Sequence, residues 1–206
     1  MSMYLAKTPR FFQSLFPNFV WRLPTAEKKL HLTFDDGPVP NVTPWVLDQL
    51  AEFNAKATFF CVGDNIKKHP QIFQRILNDG HAVGNHSYNH LSGWATDNIS
   101  YFHNIRYCAS LVDSKFFRPP YGRIKPTQAQ FLQRHYKIIM WDVLSGDFDD
   151  AISNEQCYEN VMNNAKEGSI VVFHDNIKAL DKLQYALPKV LDSYSKMGYE
   201  FEKINL

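Results

Sequence analysis

Thr33-Phe34-Asp35-Asp36-Gly37-Pro38 places two adjacent carboxylates at the end of a short β-like run, followed at once by a Gly-Pro breaker. Successive residues of a strand point to opposite faces. One carboxylate of such a pair can therefore hold a metal ion while its neighbour stays free to move a proton. The residues alone leave open which does which. An ordinary acidic turn has the same composition, so the pair acquires a chemical meaning only if the chain supplies partners.

Candidate partners recur along the sequence. His86 and His90, four apart, would share one side of a helical turn, a spacing suited to a single metal ion. With a carboxylate from the Asp35-Asp36 pair they make three protein ligands and leave positions open, the format of a catalytic metal site. Nitrogen and oxygen donors fit zinc first, with cobalt, nickel or iron also admissible. A bound divalent ion acidifies water and polarises a carbonyl oxygen, and the unliganded carboxylate is then placed to accept a proton. His174 closes the apolar run Ile170-Val171-Val172-Phe173. Kept protonated by a nearby carboxylate, it would serve as acid to a leaving group. Asp147 is the candidate for that carboxylate. Asp142, Asp149 and Asp150 compete, and the last two also read as a solvated acidic loop. Arg118 precedes Pro119-Pro120, which stiffen the turn, and a forked hydrogen bond from it would orient Asp35. The Tyr121 backbone N–H would help stabilise a tetrahedral oxyanion. Trp94 and Phe148 offer flat faces for a sugar ring, Trp94 reading equally well as a loop anchor.

The elements that must position these residues alternate. Short β-like runs at 30–34, 57–62, 81–84, 115–118, 137–143, 169–174 and 199–204 are separated by helical stretches. Thr43-Pro44, His69-Pro70, Pro126 and the Ser153/Gln156 capping box mark helix starts. Seven strands alternating with helices imply a parallel sheet with crossover helices, either closed into an irregular barrel or open and doubly wound. Ligands bind at the carboxyl ends of the strands in both cases. The candidate residues all fall just after predicted strands, or at their ends.

Composition bounds the rest. A chain of 206 residues, 45% hydrophobic and 15% aromatic, is of single-domain size and can bury a core. With 22 basic and 21 acidic residues the net charge is +1, and no basic run exceeds a pair, so nothing points to nucleic acid. The three cysteines are widely spaced and lack a CxxC pair, which argues against a disulfide framework or a thiolate zinc site. No run is long and apolar enough to span a bilayer. The aromatic segment 11–21 lacks the features of a signal peptide, which predicts a cytoplasmic protein. That segment is expected to pack on the domain, membrane-surface contact being the weaker alternative because only Lys7 and Arg10 accompany it. The predicted division is an N-terminal segment over 1–29 and one domain over 30–206. Oligomeric state is not legible.

Taken together, these motifs resemble those of the NodB-homology polysaccharide deacetylases, carbohydrate esterase family four, over nearly the whole chain from about Leu30 to Phe201. Thr33–Pro38 matches the family's first motif in full, His86–His90 the second and Arg118–Tyr121 the third. Asp147-Phe148 resembles a fourth motif that normally reads Asp-Trp. Val172-Phe173-His174 resembles a fifth that normally begins with Leu. The resemblance implies a distorted (β/α)7-type barrel and divalent-metal-dependent removal of N-acetyl groups from amino sugars. It implies Asp36, His86 and His90 as metal ligands, Asp35 as base and His174 as acid. Arg118 would orient Asp35, Asp147 would tune His174, and Tyr121 would lend its backbone N–H. Phe148 keeps an aromatic wall without an indole N–H, and Val172 leaves a slightly wider pocket floor. Alternatives are an O-acetyl esterase of the xylan type, a small-molecule amide or imide hydrolase, and a non-catalytic carbohydrate-binding domain.

Overall fold

Residues 29–35 read Lys-Leu-His-Leu-Thr-Phe-Asp, and six of the seven are buried in the strand they form, β1 (Lys29–Asp35). A strand covered on both faces needs neighbours on both edges and layers above and below. The structure, a computed structural model that describes residues 5–206, supplies them. In chain order, α1 (Arg10–Leu15) precedes β1, and α2 (Thr43–Glu52) and β2 (Thr58–Cys61) follow it. Next come α3 (Gly63–Lys68), α4 (Pro70–Asn78), β3 (Ala82–Asn85), α5 (Asn98–Ala109), β4 (Phe116–Phe117), α6 (Pro126–Leu132) and β5 (Lys137–Ile138). The chain ends with β6 (Val143–Leu144), α7 (Asn154–Met162), β7 (Ile170–His174), α8 (Leu180–Lys196) and β8 (Glu200–Phe201).

Every strand pair is parallel, in the order β5-β4-β3-β2-β1-β7-β6, with β8 pairing the start of β1. Phe34 stacks on Phe59 at 5.1 Å and on Phe173 at 6.0 Å, which ties the three central strands together on one face. That face packs under α2 and α8 through Leu47, Leu50, Leu183, Leu187 and Val190. Parallel order brings the carboxyl ends of β1, β3, β4 and β7 to one rim.

The sheet closes into a distorted single-domain barrel, and the closure explains one departure from the sequence. Residues 137–143 read as one apolar strand but form two, β5 and β6, at opposite edges of the sheet. The residues between them cross the seam. Val20 lies beside them, its N–H donating to Ile138 O at 2.9 Å and its carbonyl accepting from Met140 N at 2.8 Å. Leu144 N donates to Ala6 O at 2.9 Å, and Lys7 Nζ reaches Asp142 at 2.6 Å. Trp21 is buried against Ile138 and Met140. Within the segment expected at 1–29, the first four residues lie outside the described residues, and Phe11, Phe12 and Leu15 of α1 are exposed. Among the described residues no helix is long and apolar enough to cross a membrane.

Candidate active site

Asp35 is the last residue of β1 and stays extended; Asp36 leaves the strand with φ 84°. Strand alternation therefore does not separate the two carboxylates. The left-handed turn does, at a cost of about 1–3 kcal/mol that the surroundings must offset. Asn65 Nδ2 on α3 donates to Asp36 O at 2.8 Å, and Asp36 N donates to Phe60 O at 3.3 Å. Gly37 follows because nothing larger fits: a Cβ there would sit 1.9 Å from Asp175 Oδ2.

The two histidines do not ride on a helix. They occupy a loop after β3 in which Ser87 and His90 have φ of 61° and 55°. Asn85 Oδ1 accepts from Ser87 N, and Asn104 Oδ1 accepts from both Tyr88 N and Asn89 N, so side chains replace the helical ladder. The loop still aims both rings at Asp36. His86 Nε2 lies 3.6 Å and His90 Nε2 3.0 Å from Asp36 Oδ1. One donor atom from each of the three residues falls within 4.8 Å of the others. Asp36 Oδ1 is buried and has no hydrogen-bond partner, a costly condition unless a cation belongs there. His86 Nδ1 donates to Arg118 O at 2.8 Å, leaving Nε2 as a lone-pair donor. Burial holds the His86 pKa down, at about 4, so the ring is neutral as a ligand must be. Burial alone would raise the Asp36 pKa, but His90 and the neighbouring imidazoles outweigh it and hold the carboxyl well below its usual range. A divalent ion fits this donor set by charge and geometry.

Asp35 Oδ2 lies 4.0 Å from His86 Nε2, and Asp35 Oδ1 accepts from Arg118 Nη1 at 2.6 Å. Arg118 is fully buried at the end of β4, but it does not grip Asp35 as a fork. Nη1 also donates to Thr33 Oγ1 at 2.8 Å, Nε to Ile139 O at 3.1 Å and Nη2 to Met140 O at 2.9 Å. The guanidinium thus spends its other donors on the seam, and its Cζ lies 4.0 Å from the centroid of the Phe60 ring.

His174 ends β7 in register with Asp35 across the β1–β7 pair. Its Nδ1 bonds Asp147 Oδ1 at 2.8 Å, and its backbone N–H donates to Asp147 Oδ2 at 2.7 Å. Burial works against the imidazolium, but the Asp147 carboxylate beside it outweighs that and raises the pKa to about 9. The competitors lie elsewhere. Asp142 pairs with Lys7 and Ser169. Asp149 is buried rather than solvated and caps Ala151 N, whereas Asp150 is exposed and 3.8 Å from Lys182. Phe148 meets His174 edge-on at 5.1 Å. Tyr121, at φ 60°, places its hydroxyl 3.2 Å from His90 Nδ1 and its ring 4.6 Å from the His90 ring.

Two residues to which the sequence assigned no role belong here: Asp175, which follows His174 in the last rim cluster, and Asn176. Asn176 Nδ2 donates to Asp36 Oδ2 at 2.6 Å, fixing the carboxylate from the side away from the histidines. Asp175 accepts from Gly37 N at 3.0 Å and Thr43 Oγ1 at 2.5 Å, tying the turn to α2. Thr43 thus spends its hydroxyl on Asp175 instead of capping α2. Asp175 adjoins His174, the available signal; Asn176 carried none.

The chain is also similar to known proteins. The sequence model of the family described as polysaccharide deacetylase matches residues 22–136. A peptidoglycan-N-acetylglucosamine deacetylase of Bacillus cereus is 33% identical over 192 residues, covering 90% of each chain. A chitooligosaccharide deacetylase of Azorhizobium caulinodans is 34% identical over 75% of this chain and 77% of its own. A crystal structure of a peptidoglycan N-acetylglucosamine deacetylase in complex with 4-naphthalen-1-yl-N-oxidanyl-benzamide superposes with a TM-score of 0.87. It is 31% identical, over 96% of this chain and 95% of that one.

Proposed function

The chain belongs to the polysaccharide deacetylase family, and from that premise we propose that it hydrolyses N-acetyl groups on the amino sugars of a glycan. The observation that carries the proposal is the buried, unpartnered Asp36 Oδ1 facing two imidazole nitrogens, at the strand ends where Asp35 and His174 stand in register across β1 and β7. Asp36, His86 and His90 would hold a divalent ion, zinc first by donor type. Bound there, the ion would supply Lewis-acid polarisation of the acetyl carbonyl and acidify water.

The chain's own groups do the proton work. Asp35 accepts the proton of the attacking water at the oxygen not engaged by Arg118. Arg118 keeps that carboxylate aimed. His174, protonated and oriented by Asp147, gives a proton to the amine nitrogen as the C–N bond breaks. The Tyr121 backbone N–H donates to the oxyanion of the tetrahedral intermediate. Products are acetate and a free amino sugar. The same geometry would also cleave an acetyl ester, so substrate choice rests with the surrounding walls.

Acetate release from N-acetylglucosamine oligomers, peptidoglycan strands and acetylated xylan tests the reading, with metal content measured in parallel. Asp35→Asn is expected to lower turnover by about 10²–10⁴ while metal stays bound. Unchanged turnover in that variant, or release from xylan alone, would overturn it.

A further inference from the structure

Beyond His90 the rim continues into a lip built from two loops. Gly93 N donates to Arg123 O at 3.0 Å, and Trp94 Nε1 donates to Ile124 O at 3.1 Å. Gln128 Nε2 donates to Gly93 O at 3.0 Å and Lys125 Nζ to Thr96 O at 2.7 Å. Gly93 permits the approach, since a Cβ there would meet Arg123 O at 2.6 Å. The lip is therefore stitched across its length. It presents an exposed cation held by aromatic rings: the Arg123 guanidinium lies 5.5 Å from the Trp94 ring and 5.9 Å from the Tyr121 ring. Tyr121 touches the His90 ring, so Arg123 stands one side chain away from the metal-ligand set.

What Arg123 lacks is an acid. Among the described residues no ion pair and no side-chain hydrogen bond engages it. The segments that build the lip, 91–96 and 118–128, contain no Asp or Glu but carry Arg118, Arg123 and Lys125. The nearest acid along the chain, Asp97, is used as the cap of α5. Ring contacts occupy the faces of a guanidinium and leave its N–H edge for a planar oxyanion. Both flanking rings, Tyr121 and Trp94, are more than half exposed, at 61% and 63%. They offer the apolar faces on which sugars stack.

We propose that Arg123, held between Trp94 and Tyr121, binds a carboxylate on the sugar next to the one being deacetylated, so that the enzyme selects acidic amino-sugar glycans over neutral ones. The inference rests on the deacetylase reading above and adds the substrate class to it. A neutral glycan would leave the strongest donor of the lip facing water. An acidic one gains a charge-assisted, bidentate contact beside two ring faces.

The test compares two probes: glycan strands of alternating N-acetylglucosamine and N-acetylmuramic acid with free carboxylates, and the same strands with those carboxylates capped as methylamides. The zinc-loaded enzyme is expected to deacetylate the free-acid strand with a kcat/KM about three- to tenfold higher, the margin shrinking with added salt. Arg123→Gln is expected to erase the margin and Arg123→Lys to keep part of it. Calorimetric binding of both strands to zinc-loaded Asp35→Asn protein gives a readout free of turnover. Equal binding of the two strands, or an unchanged margin in Arg123→Gln, overturns the proposal. A binding preference that Arg123→Gln removes, without any deacetylation, would instead overturn the functional reading and leave only the Arg123–carboxylate contact standing.

Discussion

Asn176 approaches Asp36 at Oδ2, the oxygen turned away from the histidines. A carboxylate pinned at one oxygen presents the other in a fixed direction, and such outer partners typically account for 10–100-fold in metal affinity. Asn176→Ala is expected to weaken metal binding by about that factor while turnover at saturating metal stays near normal. Titration with zinc against a chelator measures the first and acetate release the second. Equal affinity in the variant would mean that the turn alone orients Asp36. His174 yields a second expectation. Its pKa is raised from 6.5 to about 9, chiefly against burial by the Asp147 charge and hydrogen bond, with Asp36 and Asp35 contributing. Since the acid form is the working form, activity falls as pH rises through the folded value. In the loaded enzyme Asp36 shares its charge with the ion, so the alkaline limb lies between 6.5 and about 9. Asp147→Asn removes the main support and leaves burial, which moves the limb to or below 6.5. A pH–rate profile of both proteins decides this. The raised value also stabilises the fold: the contribution is complete below pH 6.5 and is lost as pH rises through about 9.

At the scale of elements, the β1–β7 junction shows how tightly the strand ends are fixed. Gly37→Ala would drive a methyl group into Asp175, whose own partners Gly37 N and Thr43 Oγ1 allow it no retreat. A loss of about 1–3 kcal/mol in stability is expected, read as a lower unfolding midpoint, together with loss of metal affinity as Asp36 shifts. Retention of both would show that Asp175 can move. The same junction marks what a sequence can and cannot announce. β1, β2 and β7 are legible because each is a largely apolar run, and parallel order then forces Asp35 and His174, which end β1 and β7, to one rim. Residues 137–143 mislead because a crossing at a barrel seam is as apolar as a strand. His86 and His90 mislead differently. Their spacing fits a helical turn, but the side chains of Asn85 and Asn104 stabilise a left-handed loop that reaches the same point. The function of Asn176 exists only through its contact with Asp36, which no local pattern encodes.

At the scale of the whole molecule, the N-terminal segment couples to the catalytic base through the backbone of the seam and the Arg118 side chain. Val20 pairs with Ile138 and Met140, and the carbonyls of Ile139 and Met140 are what Arg118 grips with Nε and Nη2. Arg118 in turn holds Asp35. A chain shortened to begin at Arg22 would leave the seam strand without its partner and uncover the apolar surface that Trp21 fills. Removing a buried aromatic of this size costs about 3–5 kcal/mol. For a domain of this length the unfolding midpoint is then expected to fall by about 10 °C. Activity is expected to fall further than the unfolded fraction explains, because a displaced seam lets Arg118 rotate away from Asp35. Trp21→Ala separates the two effects. It removes the packing but keeps the Val20 hydrogen bonds, so it should share most of the stability loss and retain most of the kcat measured well below its midpoint. If the shortened chain kept both its midpoint and its kcat, the segment would be an ornament on the barrel; if it lost only the midpoint, Arg118 would be held by the sheet without help from the seam.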